Sequence, residues 1–173
     1  DEMCQSDGRM DAVCLTPTLY AACEKGNLNT IRVLLERGAN AQSVDELGNT
    51  PMHYAMKSKR PLPVVDALLA AGGNINVKNH QGQTPWMTAA HRTEIFEGVL
   101  ERGADPNAQD ERGLTVIMCA IERFEMDAVR ELMRLGVTLP DGSDKPGVFV
   151  FRNLDDCRKI TAYAMGKDRR AHV

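Results

Sequence analysis

The chain has 173 residues, 43% hydrophobic and 26% charged, with a net charge of -3 and a sequence pI near 5.8. That leaves room for one continuous core, matches an ordinary soluble domain, and gives no general pull toward polyanions, so nucleic acid is not expected as a partner. No apolar run approaches the roughly 20 residues of a membrane helix, and Asp1-Glu2-Met3-Cys4 lacks the basic-then-apolar order of a signal peptide.

Residues 1–14 read as an N-terminal cap with a short helical piece around Met10 to Leu15. Cys4 and Cys14 lie in it with nine residues between them, and a disulfide there would hold a segment that has little else to hold it. Reduced thiols in a cytoplasmic protein are the alternative. Five cysteines are an odd number, so at least one is free or paired with another molecule. Cys23 and Cys119 occupy slots that want small buried residues, and no cysteine and histidine pair has zinc spacing, so no metal is expected.

From residue 15 the same pattern recurs in four units, 15–44, 45–78, 79–109 and 110–139. Asp45-x-x-Gly48-x-Thr50-Pro51 returns as Asn79-x-x-Gly82-x-Thr84-Pro85 and Asp110-x-x-Gly113-x-Thr115. Gly38, Gly72, Gly103 and Gly136, spaced 34, 31 and 33 residues apart, each close an apolar run. Periods of this length belong to stacked arrays in which no unit can bury its apolar face alone. Before each closing glycine the apolar residues fall at helical spacing: Ile31, Leu34, Leu35; Val65, Leu68, Leu69; Phe96, Val99, Leu100; Val129, Leu132, Met133. A shorter helix precedes each, opened by Thr-Pro, where threonine caps the amides and proline fits the first turn. Extended loops such as 39–44 and 73–78 join the units as hairpin-like fingers that turn at the D-x-x-G element.

These elements, with Thr50-Pro51-Met52-His53-Tyr54-Ala55, Leu34-Leu35-Glu36-Arg37-Gly38-Ala39 and Gly103-Ala104-Asp105-Pro106-Asn107-Ala108, make the chain resemble the ankyrin-repeat family over about residues 15 to 139. The resemblance implies an all-α solenoid of about four helix-turn-helix units with hairpin fingers and helical caps. It also implies a structural imidazole at His53 that bonds the adjacent loop. The departures are Pro17-Thr18 in place of Thr-Pro, Tyr20, Met87 and Met118 in place of the histidine, and an interhelical glycine kept only as Gly26. The second unit has an enlarged interhelical turn from Lys57 to Pro63, and the third is shortened around His91 to Glu94. Trp86, the single tryptophan, stands in the buried-leucine slot, where a core role outweighs a binding role.

Residues 140–173 read as a loop, an apolar segment Val148-Phe149-Val150-Phe151 and a capping helix from Asn153 to Gly166. A partner-binding role for this tail stays open. The basic clusters at Lys57, Lys59, Arg60 and at Lys167, Arg169, Arg170 read as solvated surface rather than phosphate or lipid sites.

The sequence contains no phosphate-binding G-x-x-x-x-G-K-[ST], no H-E-x-x-H and no G-x-S-x-G, and its glycines recur once per unit, so no catalytic residue and no cofactor are expected. In ankyrin-like arrays the finger tips and short inner helices bind, which directs attention to variable positions there. These are Glu24, Lys25, Glu46, Leu47, Asn49, Lys57, His80, Gln81, Gln83, His91, Arg92, Glu111, Arg112, Leu114, Glu122 and Arg123. Leu47 and Leu114 are expected to be exposed, and the mixed charges suit another protein better than nucleic acid. The reading is a non-enzymatic module, monomeric alone, that binds a partner protein through its concave face as scaffold or inhibitor. A bacterial toxin-immunity or enzyme-accessory protein is one alternative, and it goes with a lean toward an exported over a cytoplasmic location. An enzyme with its site in the tail, or one domain of a longer protein, are the others.

Overall fold

The computed structural model describes residues 12–137 and 139, with side chains from Leu15 onward. Cys4, the side chain of Cys14 and the whole segment 140–173, including the expected capping helix, lie outside the described residues.

The first helix, α1, spans Ala12–Lys25 and runs straight across the boundary expected between cap and first repeat at residues 14 and 15. From Leu15 on, Leu15, Leu19, Ala22 and Cys23 are all buried at helical spacing, and Pro17 is accommodated inside the helix. The second helix, α2, spans Leu28–Glu36, capped by Asn27, whose Oδ1 accepts the Thr30 amide at 3.3 Å, and buries Ile31 and Leu34.

Unit two consists of α3, Pro51–Ala55, and α4, Pro61–Ala70. The turn between them is shorter than the sequence suggests. Pro61 starts α4 and Pro63 sits in its first turn, where a missing N–H loses no intrahelical bond. In unit three, α5 is a single turn, Pro85–Thr88, and a 3-10 turn, Thr93–Ile95, leads into α6, Phe96–Glu101. Unit four has α7, Val116–Glu122, and α8, Met126–Arg134. Each outer helix ends at a left-handed glycine, as the spacing predicts.

The first helix of each unit, α1, α3, α5 and α7, stacks in order in an inner layer, while α2 packs on α4 and α8 on the 3-10 turn as an outer layer. Between the layers runs one core that includes Leu19, Ile31, Met52, Leu68, Trp86, Phe96, Ile117 and Leu132, each 1% exposed or less. Burying one such side chain is worth about 1.5–3 kcal/mol. Trp86 meets Phe96 edge-on, with ring centroids 5.9 Å apart, so the tryptophan belongs to the core. No β-strand occurs among the described residues, and the architecture is an all-α repeat solenoid.

Candidate functional site

The fingers are built on one carboxylate or amide at each turn. Asp45 Oδ1 accepts the amides of Leu47 and Asn49 at 2.8 and 2.7 Å. Asn79 Oδ1 accepts those of Gln81 and Gln83, both at 3.0 Å, and Asp110 Oδ1 those of Arg112 and Leu114, both at 2.9 Å. A short acceptor two and four residues upstream holds the tight turn, which is why aspartate or asparagine recurs there. Backbone pairing from Asp45 to Asn49, Asn79 to Gln83 and Asp110 to Leu114 closes the loops.

The tips are then tied to one another. His80 N–H donates to Leu47 O at 3.0 Å and Glu111 N–H to Gln81 O at 3.1 Å. Glycine is needed behind each bond. A Cβ on Gly48 would stand 2.7 Å from His80 N and one on Gly82 2.6 Å from Glu111 N, and both glycines have positive φ. The result is a ridge on which Glu46, Leu47, His80, Gln81, Glu111 and Arg112 are exposed, Leu47 at 65%.

Beneath the ridge, His53 bridges two units. Its Nδ1 accepts the Thr50 amide at 3.1 Å, which leaves the proton on Nε2 to be donated to Gln83 O at 3.0 Å in the next finger. The loop-bonding imidazole implied by the family resemblance therefore sits where expected. Burial holds its pKa below the ordinary 6.5, against the opposing pull of the Gln83 carbonyl and Asp45. Asn79 Nδ2 adds a bond to Asn49 Oδ1 at 3.0 Å. Tyr54 O–H donates to Asp45 Oδ2 at 2.7 Å. That bond, with burial, pushes the tyrosine up to about 12. Burial tends to raise Asp45, but the hydrogen bonds from Tyr54, Asn49 and Leu47 outweigh it and hold the carboxyl below the usual range.

The candidate residues do not all converge. Leu114 was expected in solvent and is 0% exposed. It occupies the slot of half-buried Asn49 and Gln83, which faces the seam between fingers and core, and an apolar side chain there is buried. Asn49 and Gln83 are committed to that seam. Arg112 stays on the ridge but grips Glu122 in a two-pronged ion pair at 2.8 and 2.9 Å, with Asp110 beside it. Arg123 is exposed at the end of α7. His91 and Arg92 form a separate group. With Lys57, Ser58, Lys59 and Thr88 they line a cavity of about 380 Å3 at the far end of α3 and α5.

Two features escaped the sequence reading. Phe124 is 80% exposed with φ of +59°, in the interhelical turn where unit one has Gly26. A bulky side chain held left-handed costs about 1–2 kcal/mol. The signal was present, because the interhelical glycine is missing from unit four. The second is a stack of Tyr20 on Tyr54, centroids 5.0 Å apart, with Lys57 Nζ 5.0 Å from the Tyr54 ring.

Burial pushes the thiol of Cys23 up to about 12 and that of Cys119 to about 11, so both are inert small apolar groups. Among the described residues no group of three or more His, Cys, Asp or Glu comes together to hold a metal ion. Nor is any described helix long and apolar enough to cross a membrane.

Stacked helix pairs with in-phase fingers define a repeat solenoid that carries an exposed finger-tip ridge. The family model for ankyrin repeats (3 copies) matches residues 4–79 and 59–141, and the chain belongs to the ankyrin-repeat family. It is similar to a putative ankyrin repeat protein of Acanthamoeba polyphaga mimivirus, 37% identical over 62 residues, or 36% of this chain and 15% of that protein. The match thus spans a small part of the relative's length. Ankyrin repeats in general mediate protein–protein interaction and are typically not enzymes.

Proposed function

We propose that the chain is a non-catalytic recognition module that binds a partner protein through the finger-tip ridge and the inner-helix face beneath it, as scaffold or inhibitor. The observation that carries this reading is the pair of tip-to-tip bonds, Leu47 O to His80 N and Gln81 O to Glu111 N. They hold exposed residues of successive fingers in register without help from a ligand, and a surface ordered beforehand loses little conformational entropy on binding. Exposed Leu47 beside Glu46, with Glu111 two fingers along the ridge, favours a protein over a polyanion, which the two carboxylates repel. An exported setting with a Cys4–Cys14 link is part of the same proposal and rests on cysteine spacing alone.

Photo-crosslinking tests the reading. A photoreactive residue at Leu47 or Gln81 should trap a defined partner from the native source, whereas one at exposed Val33 on α2 should not. Crosslinks of equal yield from both faces, or from Val33 alone, would overturn it.

A further inference from the structure

The cavity at the ends of α3 and α5 has a composition unlike the ridge. Lys57, Lys59 and His91 are exposed at its mouth, and Arg92 forms a half-buried wall. Arg92 Nη1 donates to the carbonyls of Met56 and Ser58, and Nε to Glu94 at 2.9 Å. The guanidinium is thereby fixed in place, while among the described residues its Nη2 makes no hydrogen bond. Ser58 lines the same cavity, where its carbonyl meets Arg92, while its buried side chain lies toward Gly26 of the first unit. An acceptor entering the cavity meets Arg92 Nη2 and the two lysines.

Charge indicates what that acceptor is. Lys57, Lys59 and Arg92 bring three cations, and Glu94, beside Arg92 and His91, brings one carboxylate. A single carboxylate guest would leave the group positive, whereas a phosphomonoester, with roughly -1.5 to -2 charge at pH 7 and three acceptor oxygens, balances it. A volume of about 380 Å3 exceeds a bare ion and admits a phosphorylated side chain.

We propose that this cavity is a phosphomonoester subsite that receives a phosphorylated side chain of the partner protein. The link to a partner rests on the recognition-module reading above; the anion site does not. It is tested on the purified chain by amide-resolved NMR titration with N-acetyl-phosphoserine amide at constant ionic strength. N-acetyl-aspartate amide, inorganic phosphate and phosphatidylcholine vesicles containing a phosphatidylinositol phosphate run in parallel. Saturable shifts confined to residues 56–59 and 88–92 are expected with phosphoserine, at least about tenfold tighter than with aspartate. Lys57→Ala/Lys59→Ala should weaken phosphoserine about tenfold, with the chain still folded by circular dichroism.

Shifts that never saturate, an unaffected double variant, or equal affinity for aspartate would overturn the subsite. Binding to inorganic phosphate or to the vesicles without binding to phosphoserine would assign it to a free ion or a membrane instead, and so would also overturn the proposal. Because the titration contains no partner, its failure leaves the ridge reading standing, and failed crosslinks from the ridge leave the titration standing.

Discussion

Replacing His53 with alanine should destabilise the whole stack, and the structure gives the size of the effect. The Thr50 amide, in a residue 3% exposed, loses its only acceptor, Nδ1, at a cost of about 1–3 kcal/mol for an orphaned buried donor. The Gln83 carbonyl keeps the Asn79 N–H at 3.0 Å, so the lost Nε2 bond adds only about 0.5–1.5 kcal/mol. The sum is about 1.5–4.5 kcal/mol, large for a single substitution. Urea unfolding followed by circular dichroism measures it, with exposed His80→Ala as the control, expected within about 0.5 kcal/mol of the parent. The pH dependence has a definite sign. Folded His53 titrates below its ordinary 6.5, so the unfolded chain takes up the proton first. The stabilisation is complete above about 6.5 and is lost as pH falls toward the folded value. His53→Ala should flatten that part of the profile. A loss below about 0.5 kcal/mol, or an unaltered acid slope, would refute the bridging role given to this imidazole.

Other outcomes follow from burial and backbone geometry. Leu68→Ala, Leu132→Ala and Leu114→Ala, all at positions 0% exposed, should each cost about 2–5 kcal/mol in the same unfolding assay; a near-neutral Leu114→Ala would restore the solvent-facing assignment. Phe124→Gly should raise stability by roughly 0.5–1 kcal/mol by relieving a left-handed phenylalanine, and a drop in melting temperature would mean that the ring packs on something. If the protein is exported, thiol counting under denaturing conditions on natively sourced protein should find three free thiols, the five cysteines less the Cys4–Cys14 pair; five would remove both that disulfide and the exported setting.

The fold was legible because its signals are periodic. Closing glycines, apolar stripes and Thr-Pro starts each specify a local structure and recur in phase. What periodicity could not give was the direction of a side chain beside a turn. Leu114 and Leu47 both sit in D-x-x-G-x elements, yet Leu47 is at the tip, where its carbonyl meets the next finger, and Leu114 is past the glycine, where the chain turns inward. The left-handed glycine between the two positions separates them, and half-buried Asn49 and Gln83 occupy the same inward slot as Leu114. Arg112 shows a second limit. It looks like a free surface charge, but Glu122, ten residues further on, is brought to it only when finger and inner helix pack. The split of His91 and Arg92 from the ridge has the same origin, since their neighbours Lys57 to Lys59 come from the preceding unit. The helix boundary was missed because Pro17 suggests a start, whereas the buried stripe on both sides of it keeps the turn helical.

The central claim, that the ridge binds a partner protein, is tested most directly by calorimetry with the captured partner. Arg112 is unsuitable for this, because reversing its charge would break the internal pair with Glu122. Glu46→Arg combined with Leu47→Ala changes only exposed tip residues. The account predicts that affinity falls by more than about 1 kcal/mol, at least about fivefold, while the melting temperature of the free protein stays constant. Unchanged affinity in a folded double variant would contradict it.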